Sequence, residues 1–389
     1  MKKHQVALLL VAVVAMLAAP CGVVLCADAG SSAETTTITS FTDYREQLSD
    51  NGEAMYDAME NLSASSITGT CFIVSVTLAD PVLTVGDSKD SVTSYIYEEL
   101  YRDACQAWNA TKLDDPMAFW AWSYDYAAKA VTNVSFADPT TYSDTVCGVT
   151  SCQITIQVDS AYYGNGSTLA EKVAAVNNAR SNLSISGNTV TELIKNINSY
   201  LCGSTTVYDP YLNTDNQSAY DSTVYGLLVN TVTYNNKDVH FGVCAGFAAT
   251  YQLLCEMYEV QCKTVYGEGV QSTGMVMHAW NLNIIDGKVY ATDATWNNTG
   301  GNSTNFLAVG ANTVINGVTF QQSHSPWSPY LGDANMLTAF LIPATNDVAY
   351  GITGNGDDNA LMAYMPWIIV GLIVLILAGV LYSMARKSH

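Results

Sequence analysis

Positive charge is scarce in this chain. Lys and Arg number 15 against 35 Asp and Glu, a formal net charge of −20 over 389 residues. A surface of that sign repels phosphate backbones, so nucleic acid is not an expected partner. Histidine is scarcer still: five in all, of which only His240, His278 and His324 lie in the body of the chain. There is no HxxxH pair and no CxxC pair with histidines at zinc spacing, so no metal and no cofactor are expected. A GxSxG elbow, a phosphate-binding glycine loop and an EF-hand loop are all missing, and no internal repeat is present. "DGKVYATDATWNN" is acidic, but at the wrong spacing for calcium.

The ends are apolar. Lys2 and Lys3, the run "VALLLVAVVAMLAA" and the small residues Ala27–Ala29 read as a signal peptide over 1–29. From Leu361 to Ala385 no residue is charged, and "WIIVGLIVLILAGVLY" is long enough to cross a bilayer. Trp367 and Tyr382 suit the interfaces, and the basic end of the chain favours the cytoplasmic side. The expectation is a single-pass cell-membrane protein with its ectodomain outside, a transmembrane helix over 361–385 and a short basic tail over 386–389. Sequons at Asn61, Asn109, Asn133, Asn165, Asn182, Asn216, Asn297 and Asn302 fit an exported glycoprotein.

The body divides by pattern into a mostly helical region with a few strands (30–202), a second domain (203–345) and a spacer (346–360). "CFIVSVTL" and "CQITIQVDSAYY" read as strands. "SYIYEELYRDACQAW", "DDPMAFWAWSYDYAAKAV" and Thr168–Cys202 read as helical. Eight cysteines remain once the signal is removed. Full pairing of that even set would make Cys244 a half-cystine, and "CGVTSC" reads as a hairpin closed by a Cys147–Cys152 bridge.

Helix phase and hairpin register point elsewhere. Phe247, Thr250, Tyr251, Leu254, Met257 and Tyr258 repeat as one helical face, with Cys244 in the first turn. There a sulphur meets the positive end of the helix and its unsatisfied N–H groups. Cys255 lies roughly 16 Å further along the axis, out of disulfide reach. Cys255 and Cys262 flank the helix end, where they could bridge or be buried. Asp286-Gly287 marks a two-residue hairpin. Counting back from that turn sets Trp280 opposite Asp293 and makes His278 the diagonal neighbour of Asp293 on the same face. A one-residue bulge would send Asp293 to the other face.

"GVCAGFAATYQLL", "HAWNLNIIDGKVY" and "TDATW", in the order Cys, His, Asp, resemble the transglutaminase-like superfamily over roughly Leu201–Val318. The resemblance implies an α+β fold with a papain-like core: a helix bearing Cys244 packed on an antiparallel sheet bearing His278 and Asp293. It implies Cys244 as nucleophile, His278 as general base and acid, and Asp293 as the residue that orients the imidazole. "TWNN" replaces the acidic pair frequent in the family and makes Asn297 a sequon beside the site, where a glycan would narrow access. Trp280 and Trp296 read as packing around the site, and His240 and His324 as surface or structural. The backbone N–H of Cys244 is the expected first oxyanion donor. The implied reaction is attack on an amide or peptide bond of a protein, peptide or cell-envelope substrate through a thioester, ending in hydrolysis or transfer to an amine. The alternative is a non-catalytic surface binding or adhesion module on the same fold. Oligomeric state is not legible.

Overall fold

A computed structural model describes residues 38–63, 70–85, 88–121, 130–141, 146–159, 162, 168–203, 206–208, 220–271, 274–301, 303–327 and 340–351. The expected signal peptide, transmembrane helix and tail lie outside these residues. Among the described residues no helix is long and apolar enough to cross a membrane.

The fold is mixed α+β with antiparallel sheets, and its first half carries more sheet than the sequence pattern implies. Helix α1 (Asp50–Glu60) starts at Ser49, whose hydroxyl accepts from the Gly52 N–H, and it buries Met55, Tyr56 and Met59. Strand β1 (Cys71–Val85) alternates buried and exposed residues up to Leu78, as a strand with one covered face must. It then continues through Pro81. A register shift between Thr77 and Val82 puts that proline where no ladder bond is required of it. Helix α2 (Lys89–Asp114) buries Val92, Ile96, Leu100, Ala104, Ala107 and Trp108 over β1, β2 (Val131–Ser135) and β4 (Val146–Gln157) of a sheet that also holds β3 (Thr140–Thr141). In this sheet β4 is central, flanked by β1 and β2, with β3 also on β4.

Two sequence expectations change here. The second helix expected from Pro116 is a short 3-10 turn at Phe119–Ala121, and residues 122–129 lie outside the described set. Nor do Cys147 and Cys152 close a hairpin. Both sit on β4, paired with Thr84 and Val76 of β1. Five residue steps along the strand separate them by roughly 17 Å, far beyond disulfide reach. Cys105, Cys152, Cys202, Cys244, Cys255 and Cys262 are thiols, so the full pairing that would occupy Cys244 is not present.

The long helical stretch is two helices. A capping box of Thr168 and Glu171 starts α3 (Leu169–Ser181). Thr189, accepting from the Glu192 N–H, starts α4 (Val190–Leu201). After β5 (Thr206–Tyr208) come α5 (Val224–Leu228), β6 (Val232–Tyr234), β7 (Lys237–Gly242) and α6 (Cys244–Met257). The main sheet of the second half follows: β8 (Cys262–Gln271), β9 (Gly274–Ile285) and β10 (Lys288–Thr292). Short helix α7 (Ala294–Thr299), hairpin β11 (Val314–Ile315) and β12 (Val318–Thr319), turn α8 (Phe320–Ser323) and β13 (His324–Pro326) complete the described chain. The sheet order is β10-β9-β8-β13, antiparallel throughout.

Helix α6 packs on one face of this sheet. Phe247, Thr250, Tyr251 and Leu254 are fully buried, the face that its periodicity predicts. Gln252 ties the helix to both halves of the molecule. Its Nε2 donates to the Leu113 carbonyl at 3.0 Å, and its Oε1 accepts from the Thr264 N–H at 2.9 Å. Tyr44 adds a second link, its hydroxyl donating to the Thr264 carbonyl at 2.7 Å.

Candidate active site

Cys244 is the first residue of α6. Val243, before it, makes no side-chain cap, so the N–H groups of the first turn are left for whatever sits at the thiol. The glycines of "GVCAG" have a packing reason. A Cβ on Gly246 would come within 2.4 Å of the Asp221 carbonyl, so the 220–223 loop crosses the helix start backbone to backbone. The Asp221 carbonyl also accepts from the Val243 N–H at 2.9 Å.

The hairpin supplies the other two residues. Asp286 and Gly287 both take positive φ, 50° and 74°, as a two-residue primed turn demands. Ile285 then pairs with Lys288, and the ladder runs to Asn281 opposite Thr292. Past Thr292 the chain leaves the sheet. Asp293 becomes the N-cap of α7, and "ATW" is its first turn. The carboxylate splits its duties. Oδ1 accepts from the Trp296 N–H at 3.0 Å, and Oδ2 lies 2.7 Å from His278 Nε2. The diagonal juxtaposition read from the turn is therefore present in the fold.

His278 Nε2 is committed to Asp293, which leaves Nδ1 for the sulphur. Cys244 Sγ lies 4.0 Å from the carbonyl of Met277, the residue before the histidine. Burial alone would strip the charge from His278. The charge and hydrogen bond of Asp293, joined by the hydrogen bond and charge of Cys244, outweigh burial and push the imidazole from 6.5 up to about 10. Burial likewise opposes ionisation of Asp293, but His278 and then His324 reverse it and hold the carboxyl well below the usual carboxylate range. At neutral pH the pair is imidazolium and carboxylate.

His324, read from sequence as surface or structural, is structural and stands beside the pair. It is 2% exposed, and its Nε2 sits 3.1 Å from the same Asp293 Oδ2. Strand β13 brings it there by pairing with the outer edge of β8, His324 opposite Gly269. The approach needs Gly267, where a Cβ would fall 2.2 Å from the Ser325 carbonyl. "YGEG" was thus a usable signal, since two glycines in a strand mark close approach by another backbone. Trp296 stacks on His278 with ring centroids 4.9 Å apart, and Trp280 lies 6.2 Å away on a similar plane. His240 is elsewhere, its Nδ1 2.9 Å from the Asn230 carbonyl.

The ligating atoms of His278, Asp293 and His324 lie within 4.8 Å of one another, and all three residues are buried. Two imidazoles and a carboxylate are a metal-capable donor set that no sequence spacing had suggested. The 2.7 and 3.1 Å separations are those of hydrogen bonds onto one carboxylate oxygen. A second thiol stands nearby. Cys202 Sγ is 3.6 Å from the Ala294 carbonyl, and burial, then the charge of Asp293, push it up to about 12, which keeps it inert.

The expected glycan beside the site is not possible in this fold. Asn297 is fully buried. Its amide donates to Asn198 Oδ1 at 2.8 Å while its carbonyl oxygen accepts from the Phe306 N–H at 2.9 Å. Asn109 is also buried, at 1% exposure.

No family model and no curated protein matches the chain. Among solved structures, a TGase shares 14% identity at a TM-score of 0.23. The match covers 42% of this chain and 44% of that one, so this chain spans less than half of that structure. A candidate cysteine protease from Cytophaga hutchinsonii also shares 14% identity at a TM-score of 0.23, over 60% of this chain and 69% of that one. Similarity at this level assigns no activity, and the case for the site rests on its own geometry.

Proposed function

We propose that this protein is a transglutaminase-like thiol enzyme that acts on amide or peptide bonds through a thioester on Cys244. The observation that carries the reading is the buried His278–Asp293 pair, 2.7 Å apart, whose imidazole also interacts with the Cys244 sulphur. The Cys244 sulphur attacks the carbonyl carbon with its proton already resident on the imidazolium of His278. Collapse of the tetrahedral adduct breaks the C–N bond, and the proton leaves with the amine. Water or a second amine then attacks the thioester carbon, gives its proton to His278 and releases the sulphur. Asp293 holds the ring and its charge throughout. In the cell the enzyme is anchored by 361–385 with its body outside, facing protein, peptide or envelope substrates.

The competing reading is a binding module on the same fold, without turnover. The test is iodoacetamide labelling of folded protein across pH, followed by trapping with activated acyl esters. Fast, selective labelling of Cys244, and an acyl adduct lost in Cys244→Ala, are expected. Labelling no faster than that of an exposed model thiol would leave the binding module as the better account.

A further inference from the structure

Asp293 Oδ2 receives two imidazoles, and a thiol–imidazole–carboxylate chain requires only one. The second is built in with care. A carboxylate only accepts, so the nitrogen of His324 facing it, Nε2 at 3.1 Å, must carry a proton. The opposite nitrogen, Nδ1, lies 3.0 Å from Ser323 Oγ, and that hydroxyl also lies 3.0 Å from the Phe320 carbonyl. With His324 neutral, the Ser323 hydroxyl donates to Nδ1. The ring itself cannot turn: Phe320 stacks on it at 4.0 Å and 14°, with Trp296 at 4.4 Å and Trp280 at 5.1 Å.

The charged groups facing this ring are Asp293 from the start of α7 and His278 from β9. β8 contributes glycine opposite it, and α8 contributes only Ser323 and Phe320. One negative charge cannot balance two imidazolium rings in a buried site, so only one ring carries charge. Burial, with the charge of His278, keeps His324 neutral against the pull of Asp293 and of the Phe320 backbone.

We propose that His324 is a positioning residue: a neutral, immobile N–H donor that fixes Asp293 Oδ2 against His278 and so sets the geometry of the Cys244–His278 pair. This rests on the thiol-enzyme reading above. A carboxylate held by one imidazole on Oδ2 and a helix N–H on Oδ1 keeps some play about its Cα–Cβ and Cβ–Cγ bonds. The second donor removes that freedom without adding charge, as outer hydrogen bonds do around other polar sites.

The experiment compares iodoacetamide alkylation rates of Cys244 across pH in full-length wild type, His278→Ala, His324→Leu and His324→Gln, with melting temperatures alongside. The Leu variant loses the donor and is expected to alkylate about tenfold more slowly. The Gln variant keeps an N–H donor at similar reach and is expected within about threefold of wild type. A Leu variant alkylated at the wild-type rate, while His278→Ala is slowed, overturns the role of His324 and leaves the enzyme reading intact. If His278→Ala is not slowed either, the enzyme reading itself fails. Should the Leu variant not fold, imidazole 15N shifts in wild type decide. Nε2–H with bare Nδ1 on His324 at neutral pH supports the proposal. A doubly protonated ring, or stoichiometric zinc bound by both imidazoles, overturns it.

Discussion

Asp293→Asn is the sharpest probe of the electrostatics, because it removes a charge while leaving the side-chain shape almost unchanged. The carboxylate serves three donors: the Trp296 N–H on Oδ1, and the His278 and His324 rings on Oδ2. An amide offers one oxygen and one NH2, so with both rings keeping their Nε2 protons at least one buried donor faces another. That alone costs about 1–3 kcal/mol of stability. The larger effect falls on His278, held at about 10 chiefly by Asp293 against burial. Without the charge, burial is opposed by Cys244 alone, and the imidazole falls back toward 6.5. That fall corresponds to about 5 kcal/mol of lost preference for imidazolium, at 1.36 kcal/mol per pH unit. The imidazole 15N shifts of His278, followed from neutral to alkaline pH, measure it directly. Wild type should hold the ring protonated until about pH 10, and the Asn variant should show it neutral at neutral pH. If both variants titrate together, Asp293 is not what charges His278, and the electrostatic account is wrong.

Acyl transfer in wild type should decline as pH rises through about 10, where His278 loses the proton that it gives to the leaving amine; a rate profile with its alkaline limb near 6.5 would contradict this. The same raised value stabilises the fold fully below 6.5 and is lost as pH climbs through about 10, so melting temperature should fall over that window in wild type and less in His278→Gln. Gln252→Ala removes the links from α6 to Leu113 and Thr264 and should cost about 2–4 kcal/mol in chemical denaturation. In a glycosylating host, mass spectrometry should find Asn297 and Asn109 unmodified, both being buried, with the exposed Asn61, Asn133 and Asn182 the available acceptors among the described residues.

The part of the site legible in the sequence was the part fixed by local geometry. Asp286-Gly287 sets a turn whose register follows by counting, and the α6 face follows from its spacing. What escaped depended on longer reach. His324 arrives on a three-residue strand at the far edge of β8, with no periodicity to announce it. Its burial beside Asp293 is decided by glycines on another strand. The two-helix break at 182–189 was in principle readable, since Thr189 and Glu192 restart a helix in the pattern of a cap. The continuation of β1 past Leu78 was hidden by Pro81, which argues against a strand unless a bulge receives it.

The division of labour within Asp293 has a consequence for how the protein loses function. One oxygen seals the first turn of α7 and the other arms His278, while the Asp293 N–H is held by the Phe306 carbonyl at 2.8 Å. Any opening that frees the 303–310 segment must therefore also uncap α7 and disarm the imidazole. Inactivation should then precede global melting, and amide exchange at Trp296 should report the fraction of molecules that have gone silent while still folded.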